Sequence, residues 1–243
     1  MSTEKTLDIL DVFDYNDRAL TVAQIAEKIQ QPQSSVYRYV RLLRERDLLR
    51  EEKKGYYSLG YKMLKYYRIL RLDTNLAVIA EEEMRALTNE INETSILLVA
   101  SNLQAVCIAT VPSQHKIKVT SEPGEIVPLY GGASSKSLLA YLDESIVNNL
   151  YTETEIRQYT GETITDLSQM KMHLQEIRSK GYAYSDGEID EGVVGYGVPI
   201  FDSNHNAVAS LSVAGLKDNM LKKEEKEIVK SLKEAAKKIQ NFL

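Results

Sequence analysis

The chain has 243 residues, 43% hydrophobic and 27% charged, enough to bury the core of one large or two medium domains. Its apolar runs fall short of the roughly 20 residues that cross a bilayer. MSTEKTLDILDVF has no signal-peptide core, so we expect a cytoplasmic protein without membrane contact. One cysteine, Cys107, in an apolar run, and three scattered histidines indicate a buried thiol and neither a disulfide nor a metal site. We expect no cofactor.

The net charge of −5 is unevenly distributed along the chain. Residues 1–75 hold 14 Lys/Arg and 11 Asp/Glu, whereas residues 76–243 hold 16 and 24. Within residues 36–71 there are 11 basic and 4 acidic residues. Such asymmetry favours a nucleic-acid-binding module attached to a second domain.

The N-terminal part has the pattern of three helices. Apolar residues at near-helical spacing predict the first helix over residues 5–16. A Thr-x-x-Gln capping box at Thr21 and an amphipathic face predict the second helix over residues 21–29. Pro32 suits the first turn of a third helix that we expect to end near Asp47. The connection of three or four residues is typical of a helix-turn-helix.

A wing and a further helix are predicted next. Over residues 48–60, LLREE and YYSLG are typical of short strands that flank KKG, and Gly55 permits the reversal. From Tyr61, YKMLKYYRILRL predicts a helix that is apolar on several faces and needs cover from more than one neighbour. We favour a second copy of the chain as that cover, with packing between the chain's own domains as the alternative. Asp73-Thr74 interrupts the pattern.

The rest of the chain mixes helices and strands. We predict strands at residues 95–101, 104–111, 116–120, 193–201 and 207–214. We predict helices at residues 76–91, after the GGASS turn, at 143–151, at 166–179 and at 221–243. Together with the N-terminal part, this order indicates an α+β protein.

The third helix has the pattern of a recognition helix. Its apolar residues share one face, and Ser34, Arg38 and Arg41 project on the opposite face. In a helix-turn-helix, that part of the second helix enters the major groove, where Arg can bind guanine through O6 and N7. Basic wing residues would reach flanking phosphates. The predicted DNA-binding residues are Gln33, Ser34, Ser35, Tyr37, Arg38, Arg41, Lys53, Lys54 and Tyr56. An ordinary solvated helix face is the alternative.

These segments resemble the IclR family of bacterial transcriptional regulators. The matching stretches are LTVAQIAEKI, QPQSSVYRYVRLLRERDLL, GYYSLG, NETSILLVA, PLYGGASSKSLLAYL, RSKGYAYSDGEIDEGVVGYGVPIFD and AVASLSVAG, which cover nearly the whole chain. The resemblance implies a winged helix-turn-helix over residues 1–60, a linker helix over 61–75 and a GAF-like effector-binding domain over 76–243. It also implies homodimers, often paired into homotetramers, a double-stranded DNA operator and a small-molecule effector.

The turn in LYGGASSKSLLA is a candidate anion site. It resembles a P-loop, but Tyr130 and Ser135 occupy the positions where the Walker A motif has glycines. The motif therefore does not predict an ATP site. Two glycines before a helix would expose the backbone N–H groups of Ala133, Ser134 and Ser135 at its positive end. Such a helix start readily accepts a carboxylate. A plain helix start without a ligand is the alternative.

The resemblance implies that this turn contributes to the effector pocket and adds further positions. The predicted effector-binding residues are Ala133, Ser134, Ser135, Ser185, Asp186, Gly195, Ser212 and Ala214. Gly195 stands where the family often has cysteine, and Ala214 where it often has a second serine. Because both changes remove polar contacts, we predict an organic acid that is bulkier or more apolar than a small keto acid. Glu188 also matches an acidic position of the family.

The residues raise three candidate functions. The first is a sequence-specific DNA-binding regulator, repressor or activator, whose operator binding an effector controls. The second is a hydrolase-like enzyme that uses Ser134, Ser135 and Lys136. Neighbouring residues on a helix project about 100° apart, and no G-x-S-x-G elbow is present, so we predict no enzymatic activity. The third is docking of an acidic protein partner on the basic helix.

Overall fold

The computed structural model describes residues 2–73 and 75–243, and the chain divides into two compact units. These units are Met1–Thr74 and Asn75–Leu243. The helix predicted as a linker over residues 61–75 therefore belongs to the first unit except for its last residue. The predicted interruption at Asp73-Thr74 involves residue 74, which lies outside the described residues.

The first unit is a helical domain with a small sheet. Its helices are α1 (Ser2–Asp11), α2 (Val22–Lys28), α3 (Gln33–Glu45) and α4 (Lys62–Asp73), and its strands are β1 (Leu20–Thr21), β2 (Leu49–Lys53) and β3 (Tyr56–Leu59). The strands form an antiparallel sheet in the order β1-β3-β2. The β2–β3 hairpin is the predicted wing, and Gly55 at its turn has φ +80°. Strand β1 was not predicted, because two residues are too short for a periodic pattern.

The capping box and the apolar faces of α2 and α3 are confirmed, whereas in α1 Leu7 is exposed and Ile9 packs in the core. The Gln24 N–H donates to Thr21 Oγ1 at 3.3 Å, and the Thr21 N–H donates to Gln24 Oε1 at 2.9 Å. The side chains that form the core are Ile9, Leu20, Val22, Ile25, Ala26, Ile29, Val36, Tyr39, Val40, Leu43, Leu49 and Tyr57. This core fixes which face of α3 points outward.

Helix α1 ends at Asp11, five residues earlier than predicted. The Oδ1 atom of Asp14 accepts hydrogen bonds from the N–H groups of Asn16 and Asp17, each at 2.7 Å. An aspartate side chain that bonds the backbone in this way competes with helical hydrogen bonding. Apolar spacing alone therefore predicted a helix that continues past the turn at Asp14.

The second unit is built on one antiparallel sheet. Its helices are α5 (Asn75–Ile91), α6 (Gly132–Leu139), α7 (Glu144–Glu153), α8 (Leu167–Lys180), α9 (Lys217–Met220) and α10 (Glu225–Gln240). Its strands are β4 (Thr94–Ser101), β5 (Gln104–Val111), β6 (Ile126–Pro128), β7 (Ala183–Asp186), β8 (Val193–Phe201) and β9 (Ala207–Leu216), in the order β6-β5-β4-β9-β8-β7. The α+β fold with a GAF-like second domain is thus confirmed.

Helices cover both faces of this sheet. Successive residues of a strand point to opposite faces, and in β4 Leu97 packs with α5 and α10 whereas Ile96 and Leu98 pack with α6, α7 and α8. Helix α6 lies so close to β8 that only glycine fits at position 197. A Cβ atom there would be 2.6 Å from the Ala133 carbonyl oxygen. Cys107 is fully buried between the sheet and the helices α6, α7 and α8, as predicted. Burial raises the pKa of its thiol.

One predicted strand of the second unit is absent, two short strands were not predicted, and one helix is shorter than predicted. Residues 116–120 are not a strand, because the Val119 carbonyl accepts a hydrogen bond from Thr94 Oγ1 at 2.7 Å instead of joining a ladder. The short strands β6 and β7 were missed. The predicted helix over residues 221–243 is narrower, and α9 precedes it.

Candidate DNA interface and ligand cavity

The outward face of α3 presents most of the predicted DNA-binding residues. Gln33, Ser34, Tyr37, Arg38 and Arg41 are exposed, with 58% of Tyr37 accessible, and Ser35 is partly buried. The opposite face packs in the core, so α3 is anchored while this surface stays open. Exposed hydroxyl, amide and guanidinium groups on one helix face can reach base edges and phosphates.

The arginines of α3 differ in their surroundings. The guanidinium of Arg38 lies 5.3 Å from the Tyr39 ring centroid, and Arg41 Nε is 3.6 Å from Glu45 Oε1. Arg44 has a structural role, since its Nη2 is 3.2 Å from Glu51 Oε2 of the wing. Among the described contacts, neither Arg38 nor Arg41 pairs with the wing, so both stay on the outward face of α3.

The wing extends the basic surface. Lys53 Nζ lies 4.3 Å above the ring of Tyr56, and Lys53, Lys54 and Tyr56 are exposed. The Gly55 N–H donates to Glu51 Oε1 at 2.8 Å, which holds the turn of the hairpin. This geometry suits contacts to a phosphate backbone beside the surface of α3.

The second unit contains a cavity of about 170 Å³ between β4, the start of α6 and the segment after β7. Its apolar wall consists of Ile96, Leu98, Val119, Val127, Ile189 and Val193. Its polar lining includes Thr120, Ser121, Ser134, Ser135 and Ser185, with the carboxylate residues Glu125, Glu188 and Asp190. A cavity of this kind, apolar with a few directed polar groups, is typical of a small-molecule site.

The cavity brings together six of the eight predicted effector-binding residues. These lining residues are Ala133, Ser134, Ser135, Ser185, Gly195 and Ala214. Ser212 is not a lining residue; its Oγ hydrogen-bonds Ser134 Oγ and donates to the Ile96 carbonyl at 3.3 Å. Asp186 also lies off the cavity, because its Oδ2 accepts from Lys217 Nζ at 2.6 Å. Adjacent residues of β7 point to opposite sides, so Ser185 and Asp186 cannot share this lining.

A buried polar cluster beneath the cavity went unpredicted. Lys136 is fully buried, and its Nζ forms an ion pair with Glu188 Oε1 and contacts His173 Nε2 at 2.9 Å. The other carboxylate oxygen, Glu188 Oε2, accepts from the Gly132 N–H at 3.1 Å, at the start of α6. The cluster therefore ties the segment that lines the cavity to the helix beneath it.

Burial controls the titration of this cluster. Burial lowers the pKa of Lys136, and the carboxylate of Glu188 opposes that shift. Burial also lowers the pKa of His173, and the nearby Lys136 cation lowers it further. A neutral imidazole accepts the proton that Lys136 Nζ donates to Nε2, which agrees with this direction.

Acidification is expected to destabilise the second unit through His173. Its folded pKa lies below the unfolded value of about 6.5, so the unfolded chain binds more protons as pH falls through that range. Stability is thus full above the unfolded pKa and falls as pH approaches the folded value. Thermal unfolding at pH 7.5 and 5.0 should show a smaller loss for His173→Gln than for the wild type, by about 2 °C.

Glutamine can accept from Lys136 but does not titrate in this range. His205→Asn, at an exposed turn, is the control and should lose as much stability as the wild type. Equal losses for His173→Gln and the wild type would contradict a role of His173 in this pH dependence.

A winged helix-turn-helix with a basic outward face, followed by a GAF-like domain that encloses a cavity, defines a ligand-binding transcriptional regulator. Comparison with family models agrees. Residues 2–53 match the IclR helix-turn-helix domain, and residues 72–241 match the C-terminal domain of IclR-type bacterial transcriptional regulators. The chain therefore belongs to the IclR family, as the sequence predicted.

Relatives and solved structures are similar over nearly the full length. The HTH-type transcriptional regulator KipR of Bacillus subtilis is 25% identical over 232 residues, which are 96% of this chain and 92% of that protein. The Thermotoga maritima IclR structure is 31% identical with a TM-score of 0.75, covering 100% of this chain and 98% of that one. An IclR homologue of Microbacterium hydrocarbonoxydans, complexed with 4-hydroxybenzoate, has a TM-score of 0.85 at 19% identity, covering 99% and 98%.

Within residues 2–73 and 75–243, no helix combines the length and the apolar character that a membrane span requires.

Proposed function

We propose that the protein binds a specific double-stranded DNA operator and that a small organic acid in the cavity controls this binding, in repression or activation. The outward face of α3 supports the DNA-binding half most strongly, because it joins Ser34, Arg38 and Arg41 on a helix that the core anchors. The bacterial cytoplasm, where the DNA lies, is the expected site of action.

Three observations support an organic acid as the effector. The first turn of α6 faces the cavity through Ala133, Ser134 and Ser135, and helix starts favour anions. Serine hydroxyls can donate to a carboxylate. The cavity of about 170 Å³ is comparable to the roughly 150 Å³ engineered cavity that binds benzene. A ligand with a ring or a branched chain and one carboxylate would fit these dimensions.

The observed contacts do not favour the alternative enzyme. Lys136 Nζ is engaged with Glu188 and His173, while Ser134 Oγ is bonded to Ser212 Oγ. In the part of the chain that is described, no hydrogen bond joins Lys136 Nζ to Ser134 or Ser135. A lysine base acting on a serine nucleophile would need that contact. Binding without chemical change is therefore the function that we propose for this domain.

The proposed assembly is a homodimer, with a homotetramer as the larger form. Leu64 and Ile69 of α4 are 63% and 44% exposed, and Tyr61, directly before α4, is 72% exposed, although all three are apolar or aromatic. Exposed apolar side chains in one element mark an interaction surface. A dimer would also present two copies of α3, as the paired half-sites of helix-turn-helix operators require.

Operator binding can be tested by gel shift and footprinting with DNA upstream of the protein's own gene. We expect protection of a defined site, with an affinity that falls as salt rises, since contacts to phosphate release counterions. Lys53→Ala should lower the slope of log affinity against log salt by about one contact per subunit.

Lys230→Ala, in the second unit, removes the same charge and serves as the matched control. Equal affinity for the upstream fragment and unrelated DNA would contradict sequence-specific binding. A salt slope that Lys53→Ala leaves unchanged would remove Lys53 from the interface.

A further inference from the structure

One end of the cavity offers hydrogen-bond donors. Helix α6 begins here, and the N–H groups of its first turn have no acceptor within the helix. Glu188 occupies the Gly132 N–H, whereas the described residues supply no acceptor for the N–H groups of Ala133 and Ser134. This end can therefore receive a carboxylate without displacing a protein group.

Two serine hydroxyls belong to the same lining. Ser135 and Ser185 are 1% and 6% exposed, and both line the cavity. Among the residues that the structure describes, neither hydroxyl has a hydrogen-bond partner. Because both residues line the cavity, their hydroxyls are free to donate to a ligand carboxylate.

The charged side chains of the lining favour a cation rather than an anion. All of those described are acidic, namely Glu125, Glu188 and Asp190. Lys136 neutralises Glu188, and Glu125 Oε2 accepts from Ser121 Oγ at 2.8 Å and the Glu122 N–H at 3.0 Å. For the Asp190 carboxylate, the described part of the chain provides no cation. A ligand with only a negative charge would be repelled by this carboxylate.

The acidic and donor ends are close together. Glu188 bonds Gly132 through its carboxylate, and a Cβ atom at Gly131 would be 2.3 Å from Ile189 Cδ1. The segment that carries Asp190 therefore packs directly on the start of α6. A ligand that carries a carboxylate and an ammonium group close together would complement both ends.

We propose that the effector is a zwitterion, an apolar α-amino acid whose carboxylate binds the start of α6 and whose ammonium group pairs with Asp190. The side chain of the amino acid fills the apolar wall formed by Ile96, Leu98, Val119 and Val127. This inference rests on the proposed function and names the class of organic acid that the cavity takes.

Isothermal titration calorimetry of the full chain tests this with two matched sets of probes. The first set is L-leucine, 4-methylpentanoate and 3-methylbutylamine; the second is L-phenylalanine, 3-phenylpropanoate and 2-phenylethylamine. In at least one set, the amino acid should bind at least tenfold more tightly than both analogues. An acid or amine analogue that equals the amino acid in both sets, or no binding by either set at millimolar concentration, would overturn the proposal.

A separate variant tests the pairing of the ammonium group with Asp190. Asp190→Asn removes the charge of an exposed side chain, so the fold should be unaffected. The affinity for the bound amino acid should fall at least tenfold, while that for its deaminated acid should stay equal or rise. Glu191→Gln, one residue further and outside the lining, is the control and should bind as the wild type does. An unchanged amino-acid affinity in Asp190→Asn would overturn the pairing.

Operator binding measured without an added amino acid or analogue distinguishes a failure of the zwitterion inference from a failure of the proposed function. If the upstream fragment is bound specifically but the amino acids show no preference, only the zwitterion inference fails. If specific DNA binding is absent, the proposed function fails irrespective of the calorimetry.

Discussion

Lys136→Met is expected to destabilise the second unit by about 3–5 kcal/mol, because it leaves a buried carboxylate without its cation. Lys136 is fully buried, and its Nζ contacts Glu188, His173 and the Tyr184 carbonyl. Methionine has a similar length and volume, so the loss does not come from a cavity. The change is measurable as a lower midpoint of urea unfolding for the full chain.

A second substitution separates the ion pair from packing. Lys136→Met combined with Glu188→Gln removes both charges, and glutamine still offers a carbonyl oxygen to the Gly132 N–H. The double variant should therefore recover to within about 1–2 kcal/mol of the wild type, since replacing a whole buried pair is often nearly neutral. The pair would then act mainly to hold the 188–190 segment against α6.

A surface lysine provides the matched control. Lys171 pairs with Glu144 at 2.8 Å, but its side chain is 38% exposed and that of Glu144 is 75% exposed. Lys171→Met should change stability by no more than about 0.5 kcal/mol. A Lys136→Met protein as stable as the wild type, or a double variant no more stable than Lys136→Met, would contradict the charge argument.

The sequence predicted best those features that depend on neighbouring residues. The capping box at Thr21 and the strand over residues 193–201 needed only local spacing, and both are confirmed. The buried face of α3 followed from helical periodicity in the same way. Local patterns also misled where a side chain bonds nearby backbone, as Asp14 does just beyond α1.

The candidate cavity was predictable only in part. The glycine-rich turn indicated the start of α6, and the alternation of side chains along a strand is enough to place Asp186 and Ser185 on opposite faces. The ion pair of Lys136 with Glu188 joins residues 52 positions apart, and no periodic pattern links them. Without that partner, Lys136 resembled a surface lysine or a catalytic base. Its burial depends on how α6 packs on β8, which is a tertiary property.

The contacts of the 188–190 segment connect stability with ligand binding. Glu188 is held from below by Lys136, and its carbonyl accepts from Thr163 Oγ1 at 2.6 Å. Ile189 then contributes to the apolar wall, and Asp190 to its charged edge. Because one short segment has all these contacts, a change that loosens Glu188 should also weaken ligand binding.

Arg38→Ala is expected to weaken operator binding by about 1–3 kcal/mol while leaving folding intact. Arg38 is exposed on α3 beside the Tyr39 ring, and among the described residues no carboxylate pairs with it. Arg41, in contrast, already lies 3.6 Å from Glu45, so Arg41→Ala should have the smaller effect. Gel-shift titration at fixed salt, with the operator and with unrelated DNA, measures both variants.

Comparison of the two DNAs shows what Arg38 contacts. If it binds a base edge, the operator affinity falls roughly 5- to 150-fold and the affinity for unrelated DNA changes much less. If it binds only phosphate, both affinities fall together and the salt slope decreases by about one. Arg85→Ala, on the second unit, removes the same charge from an exposed helix position and should leave both affinities unchanged. Unchanged operator affinity in Arg38→Ala would show that this arginine belongs to an ordinary solvated face.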